Sequence, residues 1–288
     1  MYIMKGFQNI GNTCYLNAGL QMLTQNKNLC NLILKYSDTS PVLNIMADHI
    51  KDYYDNTTNI IVPSKIKKLV ESKQEMFMGY HQQDSTEFIL YLIDIIEDEL
   101  KKINKSDELK SIFGININTR TKCKKLDCLK VSNKSENSNI LLLDIESSHK
   151  TLDDVYRNFK ARERMDGDNK YKCNNCDDKR VASKRLEVLE WPNDLFIWLK
   201  RFRQNDNGSY KKNDQSIVIP LNWRHDMMLQ GAVIHYGGLN GGHYVYVGMN
   251  NNKWFMFDDS SIREINNMSE VESLISNAYW VYYAKNKL

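Results

Sequence analysis

Proline is scarce in this chain, 4 in 288 residues, beside many Asn, Lys, Ile and Tyr, a bias that points to an AT-rich coding sequence and says little about function. Net charge is scarce too. Lys+Arg 39 against Asp+Glu 36 leave a formal +3, so the overall field argues for neither nucleic acid nor an anionic membrane as partner. No apolar run reaches the length of a membrane span, and Met1-Tyr2-Ile3-Met4-Lys5-Gly6 does not open a signal peptide. The expectation is a soluble intracellular monomer, cytoplasmic or nuclear. Internal repeats and low-complexity linkers are missing as well, which argues for one folded unit with an extension. Six cysteines in a reducing compartment read as thiols or metal ligands, and 42% hydrophobic content can bury a core without disulfides.

What is present begins with Asn9-Ile10-Gly11-Asn12-Thr13-Cys14-Tyr15-Leu16-Asn17-Ala18-Gly19-Leu20-Gln21-Met22-Leu23. Leu16, Leu20 and Leu23 recur at helical spacing, and Gly11, Asn12 and Thr13 supply a preceding bend, so Cys14 should open a helix. Backbone N–H groups at that end favour a thiolate and should lower the Cys14 pKa. A lone cysteine is otherwise a small buried hydrophobe. A nucleophile also needs a base.

Further helices are expected from Leu43 to Ile50 and, entered through Pro63, from Ser64 to Glu71. Asp84 and Glu87 resemble a capping box that starts a helix through about Lys102, with Phe88, Leu92 and Ile96 on its apolar face. The polar residues just before it, His81, Gln82 and Gln83, are candidates to line a groove. From Ile115 the period changes to the alternation of a half-exposed strand, ending at Cys123. Cys123 and Cys128 form one close pair, and Cys173 and Cys176 form another. Two such knuckles can deliver four thiolates to one tetrahedral zinc; the alternative is a set of unrelated free thiols. Lys122, Lys124, Lys125, Lys130 and Lys134 form either a nucleic-acid patch or a solvated face.

Ile140 to Ile145 reads as a buried strand, and Leu152 to Phe159 as a helix capped by Thr151. Leu186 to Glu190 and Leu195 to Phe202 read as strands of a central sheet. A polar loop from Asn205 to Gln215 leads to a short strand, Ile217 to Pro220. Gly231 to Met249 is a strand, a glycine-rich loop and a second strand, followed by asparagines and Lys253-Trp254-Phe255-Met256-Phe257-Asp258-Asp259. A two-residue turn at Asn250 and Asn251 sets Met249 opposite Asn252 and His243 opposite Asp258, close enough for the carboxylate to fix the imidazole tautomer. A three-residue turn pairs His243 with Asp259 instead, and a surface ion pair is the bland alternative. Gly241 and Gly242 leave room for another backbone to approach His243.

These segments together resemble the catalytic domain of a ubiquitin-specific protease, in the papain-like cysteine protease clan. The residues that carry the resemblance are Asn9 to Asn17 with Leu20-Gln21, Gln82-Gln83-Asp84 with Glu87-Phe88, Leu199-Lys200-Arg201-Phe202, and Gly241-Gly242-His243-Tyr244 followed by Trp254, Phe257 and Asp258-Asp259. Ala278-Tyr279 with Val281-Tyr282-Tyr283 resembles the closing strand. The resemblance implies an α+β papain-like right hand in one catalytic domain: a helical thumb over 1–113, zinc-bearing fingers over 114–190 and a sheet palm over 191–288. It implies a deubiquitinating cysteine protease that cleaves at the last glycine of ubiquitin through a thioester. Cys14 would be the nucleophile, His243 the base, Asp258 or Asp259 its orienting partner, and Asn9 with the Cys14 N–H the oxyanion donors. Gln83, Asp84, Tyr244 and Gly242 would hold the ubiquitin tail, the segment from Tyr236 to Gly242 would fold over it, and His235 would be a neighbour of the base. The first cysteine pair, Cys-x4-Cys, departs from the usual Cys-x2-Cys, and the segment between Phe202 and Gly231 is short. A non-catalytic ubiquitin-binding module, a protease for another ubiquitin-like modifier and a zinc-ribbon nucleic-acid binder stand as alternatives.

Overall fold

The computed structural model describes residues 4–204, 208, 210–238 and 241–286. The N-terminal part is helical: α1 (Cys14–Thr24), α2 (Lys27–Lys35), α3 (Pro41–Tyr54), α4 (Ser64–Lys73), α5 (Ser85–Lys102) and α6 (Ser106–Phe113). Local chemistry sets their starts. Asn26 Oδ1 accepts Leu29 N at 2.8 Å to cap α2, and Ser40 Oγ accepts Leu43 N at 3.1 Å ahead of Pro41 in α3. At α5 the Asp84 carboxylate accepts Thr86 N at 2.6 Å, but Glu87 returns no bond to it, so the expected capping box is a one-sided cap. Every residue of α1 is buried, because the helix lies between α5 and the sheet.

That sheet has eight strands among the described residues. Its order runs Ser261–Ile265, Lys253–Asp258, Gly241–Asn250, Met227–Gly238, Ala278–Lys285, Asp194–Lys200, Leu141–Asp144, with Asn222–Trp223 beside Met227–Gly238. Both faces are covered. Phe196, Tyr246 and Trp280 join the helical core, while Leu199, Val247 and Val281 face a second core completed by α7 (Leu152–Phe159) and α8 (Met268–Ile275). This explains the near-continuous apolar run at Leu195 to Leu199. Asp194, 1% exposed, joins helices to sheet: it accepts Asn26 Nδ2 at 3.2 Å and the Tyr282 hydroxyl at 2.6 Å on one oxygen, and Asn28 Nδ2 on the other. The α7 helix keeps its expected bounds because Thr151 and Asp154 form a full capping box.

A second sheet, ordered Val131–Ser138, Ile115–Cys123, Ala182–Glu190, Glu163–Met165, projects as the fingers, with a small hairpin of Tyr171–Cys173 and Asp178–Arg180. The chain interleaves these regions: Leu141–Asp144, between two finger strands, runs parallel to Asp194–Lys200 in the large sheet. The whole is an α+β papain-like fold. No helix among the described residues is long and apolar enough to cross a membrane.

Five further expectations need correction. Leu186 to Glu190 is a strand but not one of the central sheet; it ends the strand Ala182–Glu190 of the second sheet, paired with Ile115–Cys123. Ile217 to Pro220 is not a strand; only Val218 makes an isolated bridge, to Thr151, because Pro220 lacks an N–H to extend a ladder. Part of the polar loop is ordered, since Phe202–Gln204 pairs with Tyr210–Lys212; residues 205–207 and 209 lie outside the described residues. The glycine-rich loop is a strand continuation, with Gly238 paired to Gly241; the segment expected over the tail includes Leu239 and Asn240, which lie outside the described residues. Finally, the C-terminal hairpin turns at Asn251 and Asn252, with φ of 50° and 60°, so Asn250 pairs with Lys253 and Met249 with Trp254. This left-handed pair brings Tyr246 opposite Phe257, ring centroids 5.8 Å apart.

Candidate active site

The turn before α1 is wound by its own side chains. Asn9 Oδ1 accepts Gly11 N and Thr13 N, both at 3.1 Å, and Thr13 Oγ1 accepts Ile10 N at 3.0 Å. Gly11 has φ of 114°, and a Cβ there would lie 2.4 Å from the Tyr80 ring, so only glycine fits. Asn12 Nδ2 donates to the Tyr80 carbonyl at 2.8 Å, which fixes the turn against the segment before α5.

The turn delivers Cys14, 4% exposed, at the first position of α1. Here the pKa expectation is reversed. Burial pushes the thiol above its ordinary value and the Asp259 carboxylate adds to this, while the N–H groups of Tyr244, Tyr15 and Cys14 offset part of it. Tyr244, the residue following His243, therefore lines the same cavity as Cys14 with its N–H toward the sulfur.

His243 Nε2 lies 2.6 Å from Asp258 Oδ1, with both side chains about 40% exposed (39% and 41%). In the observed hairpin register the strand ends at Asp258, one step past the pair Tyr246 and Phe257, so Asp258 meets His243 as a diagonal neighbour on the same face. Asp259, with φ of 50°, turns the other way. Its Oδ2 accepts Asn9 Nδ2 at 2.8 Å and its Oδ1 accepts Asn17 Nδ2 at 2.7 Å. The two aspartates are thus divided: one on the imidazole, the other on two asparagines.

A cavity of about 260 Å³ leads to the cysteine. Of the residues expected to hold an extended peptide, Gln83, Asp84, Tyr244 and Gly242 all line it with Cys14. Phe202 and His235 line it too, and were not singled out for that role. Burial raises the Asp84 pKa, offset by the Thr86 N–H and hydroxyl and by the Tyr244 hydroxyl. His235 is a neutral floor residue: burial and the nearby Lys212 ammonium lower its pKa to about 4, and its ring centroid sits 4.4 Å from that of Tyr244. A Cβ on Gly242 would meet His235 Nε2 at 2.2 Å, so the floor requires glycine above it.

Far from this cleft, Cys123, Cys128, Cys173 and Cys176 bring their Sγ atoms within 4.8 Å of one another. Each pair spans the end of one strand and the following turn, as expected of two knuckles. The Cys128 and Cys173 sulfurs are 3.7 Å apart, against about 3.8 Å for ligands at tetrahedral angles on Zn–S bonds of about 2.3 Å. Asn175 Nδ2 donates to Cys128 Sγ at 3.3 Å, as a group steadying a ligand would. The four cysteines fit a structural zinc.

The family model described as ubiquitin carboxyl-terminal hydrolase matches residues 5–283. Ubiquitin carboxyl-terminal hydrolase 4 of Arabidopsis thaliana is 28% identical over 329 residues, covering 95% of this chain and 88% of that protein. Ubiquitin carboxyl-terminal hydrolase 16 of the same plant is 28% identical over 317 residues, and the match spans 97% of this chain but 30% of that longer protein. Among solved structures, the Ubp8 deubiquitinating module of SAGA with Sgf11, Sus1 and Sgf73 bound to monoubiquitin superposes with a TM-score of 0.86 at 24% identity, covering 99% of this chain and 70% of that one. The same module bound to ubiquitin aldehyde gives 0.83 at 22% identity, again over 99% of this chain and 70% of the other. At these identities the superpositions establish the fold. With the family model spanning nearly its whole length, the chain belongs to the ubiquitin carboxyl-terminal hydrolases, the thiol-dependent deubiquitinating enzymes.

Proposed function

We propose that Cys14, His243, Asp258 and Asn9 are the groups with which this chain hydrolyses the bond between the C-terminal glycine of ubiquitin and a lysine amine. The contact between Asp258 and His243 Nε2 carries the reading, because it dedicates Nε2–H to the carboxylate and leaves Nδ1 free as the acceptor. Nδ1 takes the thiol proton as Cys14 Sγ bonds to the glycine carbonyl carbon. The raised thiol pKa means that this transfer accompanies attack rather than preceding it. The carbonyl oxygen becomes an oxyanion, held by the Cys14 N–H and by the Asn9 Nδ2 hydrogen that Asp259 does not take. Imidazolium returns its proton to the nitrogen of the leaving lysine, the C–N bond breaks and a thioester remains. Water, deprotonated by the same Nδ1, then cleaves the thioester, releasing the ubiquitin carboxylate and restoring the thiol.

Gln83, Asp84, Tyr244 and Gly242 hold the tail as it enters the cavity. One catalytic domain, with thumb 1–113, fingers 114–190 and palm 191–288, carries the reaction in cytoplasm or nucleus. The four cysteines hold a zinc that keeps the fingers folded and takes no part in the chemistry. Ubiquitin bearing a C-terminal electrophile should label Cys14 covalently, and the Cys14→Ala protein should not react. Labelling that persists in that variant, or is absent from the unaltered chain, overturns the reading.

A further inference from the structure

The exposed Gln82 crosses the cleft. Its Nε2 donates to the Gly242 carbonyl at 3.1 Å and its Oε1 accepts the Gly242 N–H at 3.0 Å, so one side-chain amide takes both peptide groups of a sheet residue 160 positions away. Gln82 belongs to the segment before α5, and Gly242 to the strand Gly241–Asn250 that carries His243. Two residues deeper the same segments come together again, where the Tyr244 side chain faces the Asp84 carboxylate and both line the cavity. Residues 82–84 on one side, 242–244 on the other and these two crossings enclose a window, and the cavity that runs to Cys14 is lined by Gln82, Asp84, Gly242 and Tyr244 alike.

We propose that Gln82 is the latch of a strap over the ubiquitin tail, and that the strap opens and recloses in every catalytic cycle. The inference rests on the deubiquitinase reading and follows from topology. The tail of a conjugate is blocked at both ends, by the folded body of ubiquitin on one side and by the modified protein on the other. A strand so blocked cannot be threaded through a closed window; the Gln82 bonds to Gly242 must break to admit it and reform over it. Free ubiquitin, with one end of its tail unblocked, can thread. Two neutral hydrogen bonds of modest net strength, in an exposed setting, keep the open form a minor but accessible population. Gln82 is therefore a positioning and gating residue and takes no part in the bond-making steps.

The test uses the full chain with Cys14→Ala, so that binding is seen without turnover, and measures association rates by stopped flow. The two probes are free ubiquitin and ubiquitin joined through its C-terminus to a lysine of a folded, unrelated protein. With Gln82 present the conjugate should associate about tenfold or more slowly than free ubiquitin, because only the open fraction admits it. With Gln82→Ala the two rates should converge to within about twofold, and both probes should dissociate faster. Gln82→Glu, which keeps the size but cannot donate to the Gly242 carbonyl, should behave like Gln82→Ala. A rate ratio that is the same with and without Gln82 overturns the strap while leaving the enzyme reading intact. Failure of either probe to bind the chain that keeps Gln82 overturns the deubiquitinase reading, and the strap with it.

Discussion

Asp258 and His243 touch at 2.6 Å although they do not face each other across the hairpin. The contact is diagonal, made by a carboxylate that leaves the ladder just after Phe257 and reaches back. An imidazole 39% exposed gains little from charge stabilisation by its partner, so the benefit of the contact is mainly tautomer and aim. Asp258→Ala should lower kcat on a ubiquitin fluorogenic amide by about a hundredfold with a small change in KM. Asp258→Asn, whose amide oxygen can still accept Nε2–H, should lose less. Equal losses in the two variants would show that negative charge, rather than orientation, is what Asp258 supplies.

Asp259 reaches the reaction through Asn9. By taking one Nδ2 hydrogen of Asn9 at 2.8 Å, while Asn9 Oδ1 is held by Gly11 and Thr13, it fixes the amide so that its remaining hydrogen has one direction. Asn9→Ala should cost about a hundredfold in kcat, the usual consequence of losing one oxyanion donor. Asp259→Ala should reproduce much of that loss, and the double variant should be far less impaired than the product of the singles. Additive effects in this cycle would separate Asp259 from the oxyanion. Asp259→Ala should also lower thermal stability, since the buried Asn17 loses its 2.7 Å partner.

Legibility in the sequence tracked how local the determining physics is. The bounds of α7 and of the strand Ile115–Cys123 follow from a cap within four residues and from alternation, and both were readable. The hairpin register was not. Asn250-Asn251 and Asn251-Asn252 are equally able to adopt left-handed φ, and the two registers differ by a two-residue slip that leaves every side chain on its original face. The register that forms sets Tyr246 opposite Phe257, a pairing that the turn residues alone do not specify. The same slip left the partnership of His243 with Asp258 intact, because opposite and diagonal neighbours share a face. The direction of the Cys14 pKa is hidden for the same reason: a helix terminus is visible in sequence, whereas burial by a strand more than two hundred residues away is not. Gln82 was seen as polar and groove-lining, but its pairing with Gly242 depends on two segments meeting in three dimensions.

A thiol held above its ordinary pKa has a readable consequence. At pH 7 little Cys14 is thiolate, so alkylation by iodoacetamide should be slow and should climb through the alkaline range above the ordinary thiol value of 9.0. Relieving the like charge should move the profile. In Asp259→Asn the rate rise should shift to lower pH, since the carboxylate opposes ionisation of the sulfur. A flat profile between pH 5 and 9 would indicate a thiolate already paired with imidazolium.

Acid should unfold the chain partly through His49. The side chain is 6% exposed, faces Thr24 Oγ1 at 3.4 Å and has its pKa lowered by burial to about 4. The folded state binds its proton less readily than the unfolded state, whose value is near 6.5. The stability this histidine contributes is present above about pH 6.5 and is lost progressively as pH falls toward 4, at roughly 1.4 kcal/mol per pH unit. His235, lowered to about 4 as well, adds to the same slope. The thermal midpoint should fall from pH 7 to pH 5, and less steeply in His49→Gln, which keeps a partner for Thr24 but cannot titrate. Parallel slopes in the two proteins would remove His49 as a cause.

Metal should matter to the fingers before it matters to the cleft. The cysteine cluster sits where the chain leaves the strand Ile115–Cys123 and returns from the hairpin Tyr171–Cys173 with Asp178–Arg180, and that hairpin buries a single side chain, Cys173. Without an ion, nothing of comparable strength ties the two turns together. Purified protein should therefore contain about one zinc per chain, and a strong chelator should lower the thermal midpoint by about 5 °C or more. Cys173→Ala should lose the metal and show the same lowered midpoint without chelator. Because α1 and the strand Gly241–Asn250 are held by the two cores on either side of the large sheet, Cys14 in the metal-free protein should still be alkylated by a small electrophile at the native rate. Any loss in ubiquitin hydrolysis should therefore appear in KM rather than in kcat, because the cleft stays assembled. An unchanged midpoint and KM after complete removal of zinc would mean that the four thiols cluster without needing it.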